Sequence, residues 1–183
     1  MKQVIMRLLE STNREGIDKL SQNLEDSGFF ESPASTKYHG SYNGGLARHS
    51  YNVYKNYLKM ISDLDFPISR NSVIIVSLLH DLCKLGLYSG DKIPYSFNVA
   101  LAKRGHARFS IERIEEFIKL EDIEREIIQY HMGIYGTEFS YSKEYTVSEM
   151  LAIFNKHKVV KLFHIADEIA AQITDQVNQS SGY

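Results

Sequence analysis

Residues 73–84 read Val-Ile-Ile-Val-Ser-Leu-Leu-His-Asp-Leu-Cys-Lys. The run is almost wholly apolar until it meets an imidazole and a carboxylate side by side, His80 and Asp81. With its flanks it is longer than an ordinary strand, so it reads as a helix over 73–84, buried on most sides. Burying an unpaired carboxylate is expensive. A metal ion is the natural partner for adjacent imidazole and carboxylate groups. Lys84 follows Asp81 by one helical turn and is placed to aim a positive charge at whatever the metal binds.

The rest of the chain frames that stretch. Its 183 residues are most simply one domain, 1–183, long enough to bury a real core. An apolar content of 43% with 24% charged residues fits an ordinary soluble protein. A net charge of −2 sets up no global basic field toward nucleic acid or anionic lipid. A single cysteine, Cys83, excludes an intramolecular disulfide framework and fits a reducing compartment. The N-terminus has no signal-peptide apolar core, and no stretch approaches a membrane span. The expected location is therefore cytoplasmic. Seven histidines against three prolines and no tryptophan make the histidines the group to follow.

Residues 1–30 pattern as one or two amphipathic helices, with Val4, Ile5, Leu8, Leu9, Ile17, Leu20 and Leu24 as their apolar positions. A breaker-rich stretch follows, ESPASTKYHGSYNGG. A helix over about 46–64 carries Leu46, His49, Val53, Tyr57, Ile61 and Leu64 on one stripe, with His49 inside it. Pro67 marks its end, and Ser69 or Asn71 is positioned to cap the next helix. Residues 85–105 form a long loop with room for a small β-hairpin at 92–98. A helix over about 106–119 starts at His106, and one over about 121–131 aligns Ile123, Ile127 and His131. A helix starts near Ser148, and another over about 157–175 places Asp167 in a stripe with Val160, Phe163 and Ala170. The fold class is all-α.

Four helices thus each offer polar ligand-type groups on a core-facing stripe: His49, His80 with Asp81, His131 and Asp167. His106 joins them from a helix start. One such residue is usually a satisfied core group. Five independent accidents are far less economical, because every buried His or Asp needs its own partner and one or two ions satisfy them all. Mixed imidazole and carboxylate donors suit Mn, Fe, Ni, Co or Zn.

The order H…HD…H…H…D, with HDLCK supplying Lys84, resembles the HD superfamily of metal-dependent phosphohydrolases. YHGSYNGGLARHS, GHARFS, YHMGIYG and IADEIAAQI resemble, in more detail, the HD domain of bacterial 3′→5′ exoribonucleases that also carry an oligonucleotide-binding fold. The resemblance spans roughly residues 38–175, with 1–37 as an N-terminal helical segment. It implies an HD-domain bundle of about six to eight helices and hydrolysis of a phosphomonoester or phosphodiester by metal-activated water. His49, His80, Asp81 and Asp167 match the holders of the principal metal, a divalent transition ion. Asp81 would bridge to a second ion. His106 and His131 match second-metal ligands in binuclear members, or substrate-phosphate contacts and acid groups in mononuclear ones. Lys84 matches a phosphate-neutralising lysine. Two departures stand out. Met132 replaces the second half of a His-His pair, which argues against a full second site. About 40 residues before the core are too few for an oligonucleotide-binding barrel.

Weaker candidates surround these. Arg48 and Arg104 flank proposed ligands and are candidate phosphate grips. His39 precedes the GG turn at the rim. Tyr88, Tyr95, Phe97, Tyr135, Phe139 and Tyr141 are available to stack a nucleobase or to pack the loops. His157 and His164 read as structural, and Cys83 as a small core residue with no catalytic His–Cys arrangement. The expected partner is a small phosphate ester, a nucleotide or a short single-stranded nucleic acid, without a membrane. The oligomeric state is open. Two alternatives stand beside this reading: a di-iron oxygenase of the same fold, which uses the same ligand order, and a non-catalytic nucleotide-binding module, which an incomplete ligand set would favour.

Overall fold

The computed structural model of the chain describes residues 1–137 and 142–175. Nine α-helices lie among the described residues: α1 (Lys2–Glu10), α2 (Ile17–Asp26), α3 (Gly45–Leu64), α4 (Arg70–Leu79), α5 (Val99–Ala102), α6 (His106–Glu115), α7 (Asp122–Tyr130), α8 (Val147–Lys156) and α9 (Lys158–Ile169). Strands β1 (Tyr88–Ser89) and β2 (Ser96–Phe97) form the one small sheet among them, antiparallel. The architecture is all-α, as the patterning predicts. The single-turn α5 takes the helix number one above the expected range.

α4 is the axis. Val73, Ile74, Ile75, Val76, Leu78 and Leu79 are sealed on every side of it, and a helix apolar all round must be enclosed by others. α3 packs along it, and α9 packs against α3. α7 lies against α4, α6 and α9, while α1 covers another flank of α4. Leu46, Val53 and Tyr57 from α3 meet Phe163 and Val160 from α9 in the core. Ile5, Leu9, Leu20 and Leu24 join the same cluster from the N-terminal segment. Val4 faces solvent instead.

The caps follow local chemistry. Ser69 accepts the Ser72 backbone N–H at 3.0 Å and so starts α4. Asp65, in the left-handed region at φ 50°, ends α3 two residues before Pro67. Thr146 and Glu149 form a capping box on α8.

Three boundaries differ from the sequence expectation. α4 stops at Leu79 and does not run to Lys84; His80 closes its last turn, and Leu82–Lys84 form a separate 3-10 turn. The hairpin is wider than 92–98, because Tyr88 pairs with Phe97 and Ser89 with Ser96. α9 gives way after Ile169 to a π turn, Ala170–Thr174. The first and third changes lie beside groups of the candidate site, His80 with Asp81 and Asp167 respectively.

Arg14 pins the loop after α1 to α7. Its guanidinium donates to Glu124 Oε1 at 2.7 Å, to Glu124 Oε2 at 3.0 Å and to the Lys119 carbonyl at 2.8 Å. Glu124 is fully buried and also accepts the Glu121 backbone N–H. Arg14→Ala strands that carboxylate, and breaking a buried pair on one side costs about 3–5 kcal/mol. Urea denaturation should show that loss as a lower midpoint at unchanged slope. A change below about 0.5 kcal/mol, the range of ordinary surface substitutions, contradicts the assignment.

Candidate metal centre

Five helices deliver one group of donors. His49 sits on α3, His80 is the C-cap of α4, and Asp81 links that cap to the 3-10 turn. His106 is the first residue of α6, His131 is the C-cap of α7, and Asp167 lies on α9. His49 Nε2 is 2.9 Å from Asp167 Oδ1 and 3.6 Å from Asp81 Oδ2. His80 Nε2 is 3.4 Å from Asp81 Oδ2 and 3.7 Å from Asp167 Oδ1. Lys84 Nζ approaches Asp81 Oδ2 at 2.6 Å. The other oxygen, Asp81 Oδ1, accepts from His106 Nε2 at 2.8 Å and lies 3.8 Å from His131 Nε2. Asp81 therefore has one oxygen for His49, His80 and Lys84, and the other for His106 and His131.

The ring orientations have causes. His80 Nδ1 donates to the Ser77 carbonyl at 3.1 Å, and His131 Nδ1 donates to the Ile128 carbonyl at 2.6 Å. Each imidazole caps its own helix three residues back and satisfies a carbonyl left over by the last turn. That bond turns Nε2 into the cluster. His49 Nδ1 donates to Asp175 Oδ2 at 2.9 Å. Asp175 Oδ1 accepts from Asn52 at 2.7 Å. Phe163 packs edge-on against His80, with ring centroids 5.4 Å apart, and forms an apolar floor.

The donors fit a cation. Two ligand atoms at right angles on a first-row ion, each about 2.1 Å from it, lie roughly 3 Å apart. The Nε2 atoms of His80 and His131 are buried without a hydrogen-bond partner among the described residues, an arrangement that is expensive unless something is bound there. His49, His80 and Asp81 offer ligand atoms within 4.8 Å of one another, and so do His80, His131 and Asp167.

A model of the HD domain matches residues 46–172. The chain belongs to the HD-domain family. No curated protein and no solved structure matches it. HD domains bind divalent metals, and the family implies metal-dependent phosphohydrolase activity in general. No helix among the described residues is long and apolar enough to cross a membrane.

Burial and neighbouring charges oppose each other across the donor cluster. Burial pushes His80 down, yet Asp81 and Asp167 outweigh burial and bring it up to about 10. Burial likewise opposes charge on His106, but Cys83 and Asp81 raise it to about 10. Burial resists the ionised forms of Asp81 and Asp167, and their cationic neighbours still hold both well below the usual carboxylate range. His131 is pushed down to about 3 by burial and by His80 and His106. Burial opposes charge on His49 too, but Asp167 and Asp175 raise it. A metal ion needs neutral imidazole, so one held by His49, His80, Asp81 and Asp167 would have to displace the extra protons on His49 and His80. Affinity should therefore climb as pH rises toward about 10, the value to which His80 is raised, with about one or two protons released per ion near neutrality. Titration calorimetry in buffers of different ionisation heat checks this. Metal uptake without proton release contradicts it.

The structure gathers His49, His80, Asp81, Lys84, His106, His131 and Asp167 as the sequence pattern expects them to gather. Arg48 is exposed on α3. Arg104 has partners of its own, Glu112 at 2.7 Å and the Phe109 ring beneath it at 3.9 Å, which draw it toward α6. His164 donates to the His131 carbonyl at 2.7 Å and so supports that ligand's turn. His157 lies 3.6 Å from Glu126. Phe139 and Tyr141 lie outside the described residues. Cys83 is buried in the core as expected, and its Sγ also lies 3.3 Å from His106 Nδ1, on the side of the ring away from Asp81.

Sequence reading misses Asp175 and Glu144. Asp175 comes eight residues after Asp167, roughly 80° out of line on a regular α-helix. The π turn between them advances fewer degrees per residue and returns Asp175 to the face of Asp167. Glu144 accepts the backbone N–H groups of Ala107 and Arg108 at 3.0 and 3.1 Å, capping α6 from another segment where Gly105 has no side chain to do it. Asp175→Asn weakens the orienting bond on His49. Metal affinity of that variant should fall about 10–100-fold, read by competition with a chromophoric chelator. Unchanged affinity removes Asp175 from the account.

Proposed function

We propose that this HD domain hydrolyses a phosphomonoester or phosphodiester of a nucleotide or short oligonucleotide. The observation that carries the reading is that each of the imidazoles of His49 and His80 lies 2.9–3.7 Å from the carboxylates of both Asp81 and Asp167, with Lys84 Nζ alongside. A divalent ion held by these four residues supplies Lewis acidity and an activated water.

The chain's own residues do the rest. Lys84, its charge favoured by Asp81 despite burial, stands beside the donors to neutralise phosphoryl oxygens as charge shifts in the transition state. Asp81 Oδ1 orients groups on the side of His106 and His131. His106, partly open to solvent, is the candidate to hand a proton to the leaving oxygen; with His131 it is also the candidate holder of a second ion. Arg48 is a candidate for more distant phosphate contacts. The nucleotide class is supported by the hairpin that follows Lys84. Tyr88 and Phe97 face each other across its register, with ring centroids 6.0 Å apart. Tyr88 lies in the field of Lys84, so a base stacked there has its phosphate near the metal donors.

The test is turnover of p-nitrophenyl phosphate, bis-(p-nitrophenyl) phosphate, nucleoside monophosphates and dinucleotides with added Mn²⁺, Ni²⁺ or Fe²⁺. The expected result is metal-dependent hydrolysis. His80→Ala and Asp81→Ala should lose both metal and turnover. Lys84→Ala should keep the metal and lose about 10²–10³ in rate. Full activity of Asp81→Ala contradicts the proposal.

A further inference from the structure

The mouth of the site can be told from its floor by exposure. His49, His80, Asp81 and His131 are sealed, whereas the Asp167, His106 and Lys84 side chains keep 16, 18 and 10% of their surface open. A fifth imidazole stands at this mouth. The His39 ring lies against His49 with centroids 4.9 Å apart. Lys84, Asp167 and Asp175 are also within its electrostatic reach. His39 precedes the span that the HD family model matches.

Its hydrogen bonding sets it apart. His49, His80, His106 and His131 each have Nδ1 engaged, by Asp175, the Ser77 carbonyl, Cys83 and the Ile128 carbonyl respectively. That is how protein ligands are fixed toward a metal. Neither ring nitrogen of His39 has a hydrogen-bond partner among the described residues, and neither is a sealed atom. The backbone beneath is nevertheless tightly held. Ala34 N–H donates to the Gly40 carbonyl at 2.8 Å, Tyr38 N–H to Ser35 Oγ at 2.9 Å, and Ser35 Oγ to the His39 carbonyl at 2.8 Å. Gly45 passes so close to Gly40 that a Cβ on it would meet the Gly40 carbonyl oxygen at 1.9 Å. A tightly held loop thus presents, against His49, a ring with no hydrogen-bond partner among the described residues.

We propose that His39 is a substrate contact, donating a ring N–H to a phosphoryl oxygen of the bound ester; this rests on the phosphohydrolase reading. His39, His49 and Asp175 also have ligand atoms close enough to share an ion. However, His49 Nδ1 and Asp175 Oδ2 are already bonded to each other, and Asp175 Oδ1 is bonded to Asn52. An ion there would have to displace the proton that His49 Nδ1 gives to Asp175 and undo the bond that orients His49, so the free ring nitrogen of His39 is left for substrate.

The experiment compares wild type, His39→Ala and His39→Gln in the Mn²⁺-loaded protein. It reads metal stoichiometry, melting temperature, binding of inorganic phosphate by calorimetry, and kcat/KM on the p-nitrophenyl ester that wild type prefers. The expected result is unchanged stoichiometry, with phosphate affinity and kcat/KM about tenfold to a hundredfold lower in His39→Ala. His39→Gln, which keeps an N–H donor, should recover part of both. The inference is overturned if His39→Ala loses metal, if both variants stay within about twofold of wild type, or if both fall equally along with melting temperature. A wild type that neither binds phosphate nor turns over an ester overturns the phosphohydrolase reading, and this inference with it.

Discussion

The structure depends on keeping one carboxylate charged where water cannot reach it. Asp81 is 2% exposed, and an ionised carboxylate taken out of water loses several kcal/mol unless cations and donors replace its hydration. Lys84 and His106 approach it most closely, from opposite oxygens. His80, His49 and His131 complete the ring. These groups come from α3, α4, α6, α7 and the turn after α4. The bundle is in this sense a device for bringing helix ends and faces to one buried negative charge. A divalent ion held there would do the same electrostatic work as protons on the imidazoles, so metal and protons are expected to compete.

The same constraint explains why helices stop where they do. α4 and α7 both end on a histidine that folds back to its own last turn through Nδ1. One bond satisfies an orphan carbonyl and fixes the tautomer that leaves Nε2 for the site. A continuous helix through 80–84 would carry His80 and Asp81 about 100° apart around the axis. The break at Leu79 brings both to one side.

Much of this was legible in the sequence because polar groups on apolar stripes are costly and therefore informative. His49, His131 and Asp167 announced themselves by helical spacing, and His80 with Asp81 by following a run of core residues. What stayed hidden depends on irregular backbone or on distant pairing. Asp175 looks out of register until the π turn realigns it. Glu144 acts on α6 from a segment 37 residues away from Ala107, beyond any local pattern. Cys83 reads as core filler because its contact with His106 spans 23 residues. The hairpin is wider than its local pattern suggests because the pairing of Tyr88 with Phe97 is set across the loop.

The most direct test of the account is to locate the metal. Crystals grown with Mn²⁺ and measured for anomalous scattering should show a peak coordinated by His49 Nε2, His80 Nε2, Asp81 Oδ2 and Asp167 Oδ1. A site with no peak under saturating metal, or a peak held by other residues while Asp81 keeps only its Lys84 and His106 contacts, would contradict the claim that this buried carboxylate exists to hold an ion.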